Sequence, residues 1–447
     1  MTTPVATVAR ASVIPAALTA ALVAGLLGPG VQPRYAALVL IGLVGLSVVL
    51  VRERVVFNVT AFVLAGAPLV PAPGLGAPLI LVLGIAVWAA LLVSPRARIR
   101  FGWVEAVVAL MVVAAAVSVL VSGADGASIV EWGRWVIAFA LVIPLRMIDP
   151  EDLAAFGRWF VAGGCFGAVA GLVLFAVDRQ GRLLNRLSAF GYDTKGGNLR
   201  LVQGSESASV RLTGTYVDPN MGALVLTVAL VLAVALLRGL PRVLATGLLG
   251  IAILLTLSRS SIATVAVGLL VLVIAGRITW RPRLALSSMV AAGAILALSI
   301  PVVRNRLFDS FGPTDTGSQA RWAALADFRR SMEDHWWFGL GWGIDAFRDP
   351  SAGQAVNYVA NAPLLTVYRA GVVVGAIFVV FLLIAVVRSI ALLRTGTFAQ
   401  AVTGAGLFAM CLVALQLDFA VALLPPATMA FGVLLAFATH ERWTGEG

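Results

Sequence analysis

Residues 218–276 read DPNMGALVLTVALVLAVALLRGLPRVLATGLLGIAILLTLSRSSIATVAVGLLVLVIAG, and only Asp218, Arg238, Arg242 and Arg259 in that stretch are charged. Three apolar runs, near 218–237, 242–257 and 260–276, are parted by Arg238-Gly-Leu-Pro-Arg242 and by Leu257-Ser-Arg-Ser-Ser261. A helix crosses a bilayer with about 20 apolar residues, so each run is of membrane-crossing length or just below it. The same texture continues outward. Further runs lie near 12–29, 35–51, 55–71, 74–94, 103–122, 127–147 and 155–177 on one side, and near 283–302, 361–387, 398–417 and 420–439 on the other. With 60% hydrophobic residues, 12% charged and a mean hydropathy of +1.00, the chain is excluded from the soluble globular class, where about 25% of residues are charged. The expected fold is all-α, a polytopic membrane protein of about fourteen transmembrane helices.

Charge orients the runs. Of the 32 basic residues all but Lys195 are arginine. Arg52/Arg54, Arg96/Arg98/Arg100, Arg146, Arg238/Arg242, Arg277/Arg281/Arg283 and Arg388/Arg394 fall in every second connection. Arginine in short loops resists translocation, which makes these connections cytoplasmic and puts both termini there. The first run, after Arg10, lacks a clear small-x-small cleavage site and is read as a retained helix. Two long connections, 178–217 and 303–360, then fall outside. The organisation is seven helices over 1–177, a basic outer loop with four helices over 178–302, a large outer loop over 303–360 and three helices over 361–447. The large loop is expected to hold a surface helix from Ser318 to Asp334, with Trp322, Leu325, Phe328 and Met332 on one face. It ends in the glycine-punctuated turn Phe338-Gly-Leu-Gly-Trp-Gly343.

Cys165 and Cys411 sit in separate apolar runs, where neither disulfides nor thiolate chemistry is expected, and two histidines, His335 and His440, exclude a multi-histidine metal site. No acidic pair with DxD spacing stands in either outer loop. No metal, no other cofactor and no nucleic-acid partner are expected.

Four stretches resemble the bacterial O-antigen ligase and O-antigen polymerase superfamily, whose members are polytopic, lipid-linked glycan transferases. Arg211-Leu-Thr-Gly-Thr-Tyr-Val-Asp-Pro-Asn220 is similar to the family's Arg-x-x-Gly-x-x-x-Asp-Pro-Asn helix start, and Leu257-Ser-Arg-Ser-Ser261 to its outer Ser-Arg-Ser turn. Arg321-Trp322 with His335-Trp-Trp-Phe-Gly-Leu-Gly-Trp-Gly343 resembles its Arg-x-x-x-Trp helix and glycine turn. Asn361-Ala-Pro-Leu-Leu, followed by Gly371 and Gly375, resembles its His-Asn-x-x-Leu segment. The likeness covers roughly 205–380. Where the family has histidine before the asparagine, commonly given a catalytic role, this chain has Ala360.

The resemblance implies an enzyme of the bacterial cytoplasmic (inner) membrane that takes a glycan from a polyprenyl-diphosphate donor at the outer face. The glycan goes to a glycan or lipid acceptor, amid membrane lipids, by metal-independent direct displacement with inversion. A diphosphate leaving group gathers negative charge, which forked guanidinium hydrogen bonds stabilise. Arg211 and Arg259 are the expected catalytic cations, each with a bland alternative as a loop cation or a snorkelling anchor. His335 is the one outer histidine and hence the expected base, against a helix-end role or a carboxylate such as Asp345 acting instead. Substrate contact is expected from Arg321, Asp218, Asn220, Asn361 and Arg369. The alternatives are a surface salt bridge for Arg321, helix capping for Asp218, Asn220 and Asn361, and pairing with Asp218 or Asp418 for Arg369. Trp336, Trp337 and Trp342 are read as boundary anchors or as platforms for sugar rings. Two other functions stay open. One is a flippase or other transporter, which would need ionisable groups deep on discontinuous helices; the other is an inactive envelope scaffold, supported by Ala360.

Overall fold

The computed structural model describes residues 53–72, 78–94, 101–123, 125–178, 182–183, 210–277, 279–299, 304, 325–342, 347–348, 356–357, 361–415, 425–440 and 443. Their helices are α1 Glu53–Gly66, α2 Leu79–Val93, α3 Trp103–Val121, α4 Gly126–Phe139, α5 Val142–Met147, α6 Pro150–Val177 and α7 Pro219–Leu236, followed by α8 Gly239–Leu255, α9 Arg259–Ala275, α10 Trp280–Ser299, α11 Ala362–Thr395, α12 Phe398–Val413 and α13 Pro425–Thr439. A two-residue antiparallel pair, β1 Phe347–Arg348 and β2 Val356–Asn357, is the one hydrogen-bonded sheet among them. The all-helical fold is as expected. Among the described residues five helical stretches are long and apolar enough to cross a membrane, Trp103–Val121, Gly126–Met147, Pro150–Val177, Pro219–Leu236 and Ala362–Thr395, and five shorter apolar helices join them. The runs near 12–29 and 35–51 lie outside the described residues.

Local chemistry explains where helices depart from the expected runs. The run 127–147 divides into α4 and α5 because Pro144 has no N–H for the Ala140 carbonyl four residues back. Helix α6 starts at Pro150, earlier than the hydrophobic run, with Glu151 and Asp152 in its first turn, where carboxylates suit the helix dipole. Helix α11 runs on to Thr395 but breaks at Gly371, whose φ is +85°. Of the expected surface helix, residues 325–331 are helical; Phe328 and Met332 are buried, whereas Leu325 is exposed.

Helices pack closely where residues are small. A Cβ on Gly163 of α6 would collide with the Phe62 carbonyl of α1, and one on Gly66 would sit 2.8 Å from the Gly163 carbonyl, so the two backbones touch.

Hydrogen bonds and ion pairs between elements sort the helix ends into two groups. In the first, Thr215 and Tyr216 reach the end of α1, Leu212 reaches the end of α8, Ser118 of α3 donates to the Phe338 carbonyl, and Ala362 N–H donates to Ala414 at the end of α12. In the second, Arg54 pairs with Asp152, Arg146 with Glu105, His440 bonds to the Ile148 carbonyl, and Arg277 N–H donates to the Leu393 carbonyl. Each of these bonds joins ends that alternate-loop arginine assigns to the same face.

Candidate functional site

The segment 211–220 is wedged among three elements of the first group. Tyr216 is fully buried and its hydroxyl donates to the Ala65 carbonyl at 2.6 Å, while Thr215 Oγ1 donates to Gly66 at 2.6 Å. Leu212 N–H reaches the Leu255 carbonyl at 2.9 Å. Arg211, 7% exposed, donates from Nε to the Thr256 carbonyl at 2.8 Å and from Nη2 to Asn220 Oδ1 at 2.7 Å. Asp218 caps α7, accepting from Asn220 N–H at 2.8 Å, and lies within the field of Arg211. Arg211, Asp218 and Asn220 therefore form one connected unit, and that unit grips the turn from Thr256 to Ser258.

That turn is unusual in two ways. Leu257 within it, like the nearby Val217, has positive φ, at +53° and +60°. Such a conformation costs a branched side chain about 1–3 kcal/mol, and strain of this kind concentrates at functional sites. Arg259 is also the first residue of α9 and is partly exposed. A helix start is already electropositive, and an arginine there adds to the same sign at a cost of about 0.3–1 kcal/mol. The guanidinium and the helix start share one sign, which is the sign an anion complements. The neighbouring hydroxyls form a linked set: Ser258 Oγ, buried, lies 3.3 Å from Ser260 Oγ and 3.4 Å from the buried Ser261 Oγ, and Thr256 Oγ1 accepts from Ser258 N–H at 3.2 Å.

A second unit forms where the glycine turn meets the break in α11. Leu340 N–H donates to Tyr368 at 2.8 Å, Gly341 N–H to Arg369 at 3.1 Å, and Val372 N–H to Trp336 at 2.8 Å. The glycines are needed there: Gly339 and Gly371 have φ of +73° and +85°, and a Cβ on Gly371 would collide with the Trp337 carbonyl. Arg369 is buried with its guanidinium 5.7 Å from the centre of the Trp342 ring, a cation–π contact. Asp218 is engaged elsewhere as a cap, and Asp418 lies outside the described residues. Trp342 is fully buried against Trp135, ring centres 4.6 Å apart, so its expected roles at the boundary or under a sugar give way to core packing. Trp336 and Trp337 are exposed.

Asn361 is occupied at both ends of its amide. Its Oδ1 accepts from Leu364 N–H at 2.9 Å and its Nδ2 donates to Leu415 at 2.8 Å, capping α11 and tying it to the end of α12. His335 is exposed at the end of the 325–331 helix, and its Nδ1 is 2.7 Å from the Glu333 carbonyl. It shares no hydrogen bond with Arg211, Arg259 or Asn361 among the described residues. Arg321, Asp345 and Ala360 lie outside those residues.

Residues 244–379 match the O-antigen ligase family. The resemblance drawn from the residues thus holds over most of its length. The O-antigen ligase match contains the strained turn, Arg259, His335, Asn361 and the break at Gly371; Arg211, Asp218 and Asn220 lie just before it. No curated protein matches the chain. Together with its apolar helices, the match supports an integral membrane protein of glycan transfer, with a lipid-linked glycan and an acceptor as substrates in general. Sequence reasoning missed the Thr256 carbonyl, because a backbone acceptor has no residue signature. It also missed the anchoring role of Tyr216, which stood inside the quoted motif.

Proposed function

We propose that the chain is a fourteen-span glycosyltransferase of a bacterial cytoplasmic membrane, divided at 177, 302 and 360 as the sequence suggests. It moves a glycan from polyprenyl diphosphate to an acceptor hydroxyl at the outer face. Arginine parity supports the first group of helix ends as the outer one. The observation that carries the reading is Arg259, set at the electropositive start of α9 on a strained turn that Arg211 holds.

The acceptor oxygen attacks the anomeric carbon as the bond from that carbon to the diphosphate oxygen breaks, with inversion. The electron pair passes to the diphosphate, where Arg259 and the α9 amides meet the growing charge. Arg211, hydrogen-bonded to the Thr256 carbonyl and to Asn220 and with Asp218 in its field, positions the turn, and Asp218 and Asn220 position Arg211. The acceptor's proton goes to a base. The Glu333 carbonyl can only accept, so a neutral His335 carries its proton on Nδ1 and presents a lone pair at the exposed Nε2. His335 is the base in this reading. Asn361 and Arg369 shape the site by holding α11 and the glycine turn, and Arg321 is kept as a substrate contact. No metal or other cofactor takes part.

The break in α11 beside buried Arg369 favours the transporter reading, since discontinuous helices mark transport sites. Against it, the glycine turn takes up the backbone groups at Tyr368, Arg369 and Val372, so they do not line a passage. A deletion strain separates the readings. Accumulated full-length lipid-linked polymer indicates a ligase, single repeat units a polymerase, and precursor trapped inside a flippase, which would overturn the proposal. His335→Gln should slow transfer about a hundred- to ten-thousand-fold while the protein still inserts; transfer at the wild-type rate would remove His335 from the role.

A further inference from the structure

We propose that the cleft between α1 and α6, at the end away from the transfer site, binds the phosphoethanolamine headgroup of a membrane phospholipid. The two helices touch backbone to backbone at Gly66 and Gly163, yet at their other end they leave a cleft of about 290 Å³. Arg54 and Asn58 of α1 line it, and so do Glu151, Asp152 and Arg158 of α6. Glu151, Ala155 and Arg158 follow one face of α6 at helical spacing, and the small Ala155 leaves room between the two charged side chains.

The charge balance selects the ligand. Arg54 and Asp152 pair at 2.8 Å and neutralise each other. Glu151 and Arg158, both exposed, have no ion pair among the described residues, so the cleft offers one open anion and one open cation. Arg158 suits a phosphate, by forked hydrogen bonds, and Glu151 suits an ammonium that donates N–H. An anionic headgroup brings no ammonium to the open Glu151 carboxylate, and a choline has no N–H to give it. Trp159, exposed beside Arg158 and edge-on to Phe62 at 6.3 Å, is the amphipathic ring expected at headgroup depth. Arginine parity makes this the cytoplasmic leaflet. The site is independent of the transfer reading.

The test is native mass spectrometry of the full chain in detergent, titrated with phosphatidylethanolamine, phosphatidylglycerol and phosphatidylcholine of one acyl composition. Wild type should retain phosphatidylethanolamine best. Glu151→Gln should cut its retention about tenfold, toward that of phosphatidylcholine. Arg158→Gln should weaken both of these lipids together. The ranking of the three lipids is internal to each sample, so it does not depend on how much of a variant folds. Equal retention of all three by wild type, a preference for phosphatidylglycerol, or an unchanged ranking in Glu151→Gln would overturn the proposal. Displacement of the lipid by equimolar soluble phosphoethanolamine would overturn the lipid assignment in favour of a free ligand.

Discussion

The two ends of the helix bundle treat arginine in opposite ways. At the end holding α3, α5 and α6 starts and finishes, Arg146 is closed against Glu105 at 2.8 Å with both side chains nearly inaccessible, and Arg54 is closed against Asp152. At the other end Arg211 is held by a carbonyl and a side-chain amide, and Arg259 heads a helix. A carboxylate cancels the charge it fixes, whereas a neutral acceptor fixes a guanidinium and leaves its charge in place. The first end uses arginine to close the fold; at the second, Asp218 also lies in the field of Arg211, and the proposed transfer site draws its positive potential from Arg259 at the head of α9. That contrast separates the proposed transfer site from the rest of the basic residues more sharply than their number does.

The largest effect is expected at the buried pair. Glu105→Ala removes the carboxylate that closes on buried Arg146 and should cost about 3–5 kcal/mol of stability, seen as a lowered melting temperature in detergent, while surviving protein transfers glycan at the normal rate. Loss of transfer without loss of stability would mean that this end also serves chemistry. Next in size, Arg259→Ala should leave melting unchanged or slightly raised and slow transfer about a hundred- to a thousand-fold, or about 2.7–4 kcal/mol of barrier. Arg259→Lys should recover little, because lysine cannot fork two hydrogen bonds. Full transfer by both variants would make Arg259 an anchor.

Smaller effects sharpen the picture. Asn220→Ala removes one of the neutral acceptors of Arg211 and should cost about 1.5–3 kcal/mol, divided between stability and transfer rate, with Asn220→Asp restoring stability better than rate because it cancels charge. Equal recovery of both would weaken the distinction between neutral and charged partners. Smallest of all, Arg54→Gln breaks a half-exposed pair and should shift stability by about 0.2–1 kcal/mol. A cost as large as that of Glu105→Ala would show that exposure is not what sets the two pairs apart.

Much of the site was legible in the sequence as motifs and little of it as geometry. Arg211, Asp218 and Asn220 stood in one quoted stretch and do form one unit, since capping and a nearby hydrogen bond are local. The grip of Arg211 on Thr256 spans 45 residues and ends on a backbone atom, so no side-chain pattern could announce it. Trp342, inside the glycine turn, reads from sequence as a boundary anchor or a platform for a sugar ring. Only the docking of that turn on the break in α11 carries it into the core beside Trp135.

Residue order alone dictates the helical membrane class and the apolar runs that become α1 to α13, and loop charge groups the helix ends in the way the hydrogen bonds between elements group them. Apolar run length and loop charge act residue by residue against the bilayer, so they need no knowledge of neighbours. Only the tertiary structure decided which arginines are closed by carboxylates, which turn is strained, that α11 breaks and is filled by the glycine turn, and that α1 and α6 touch at one end and part at the other. Those outcomes depend on backbone groups and packing distances between residues far apart in the chain, and a linear pattern of side chains does not carry them.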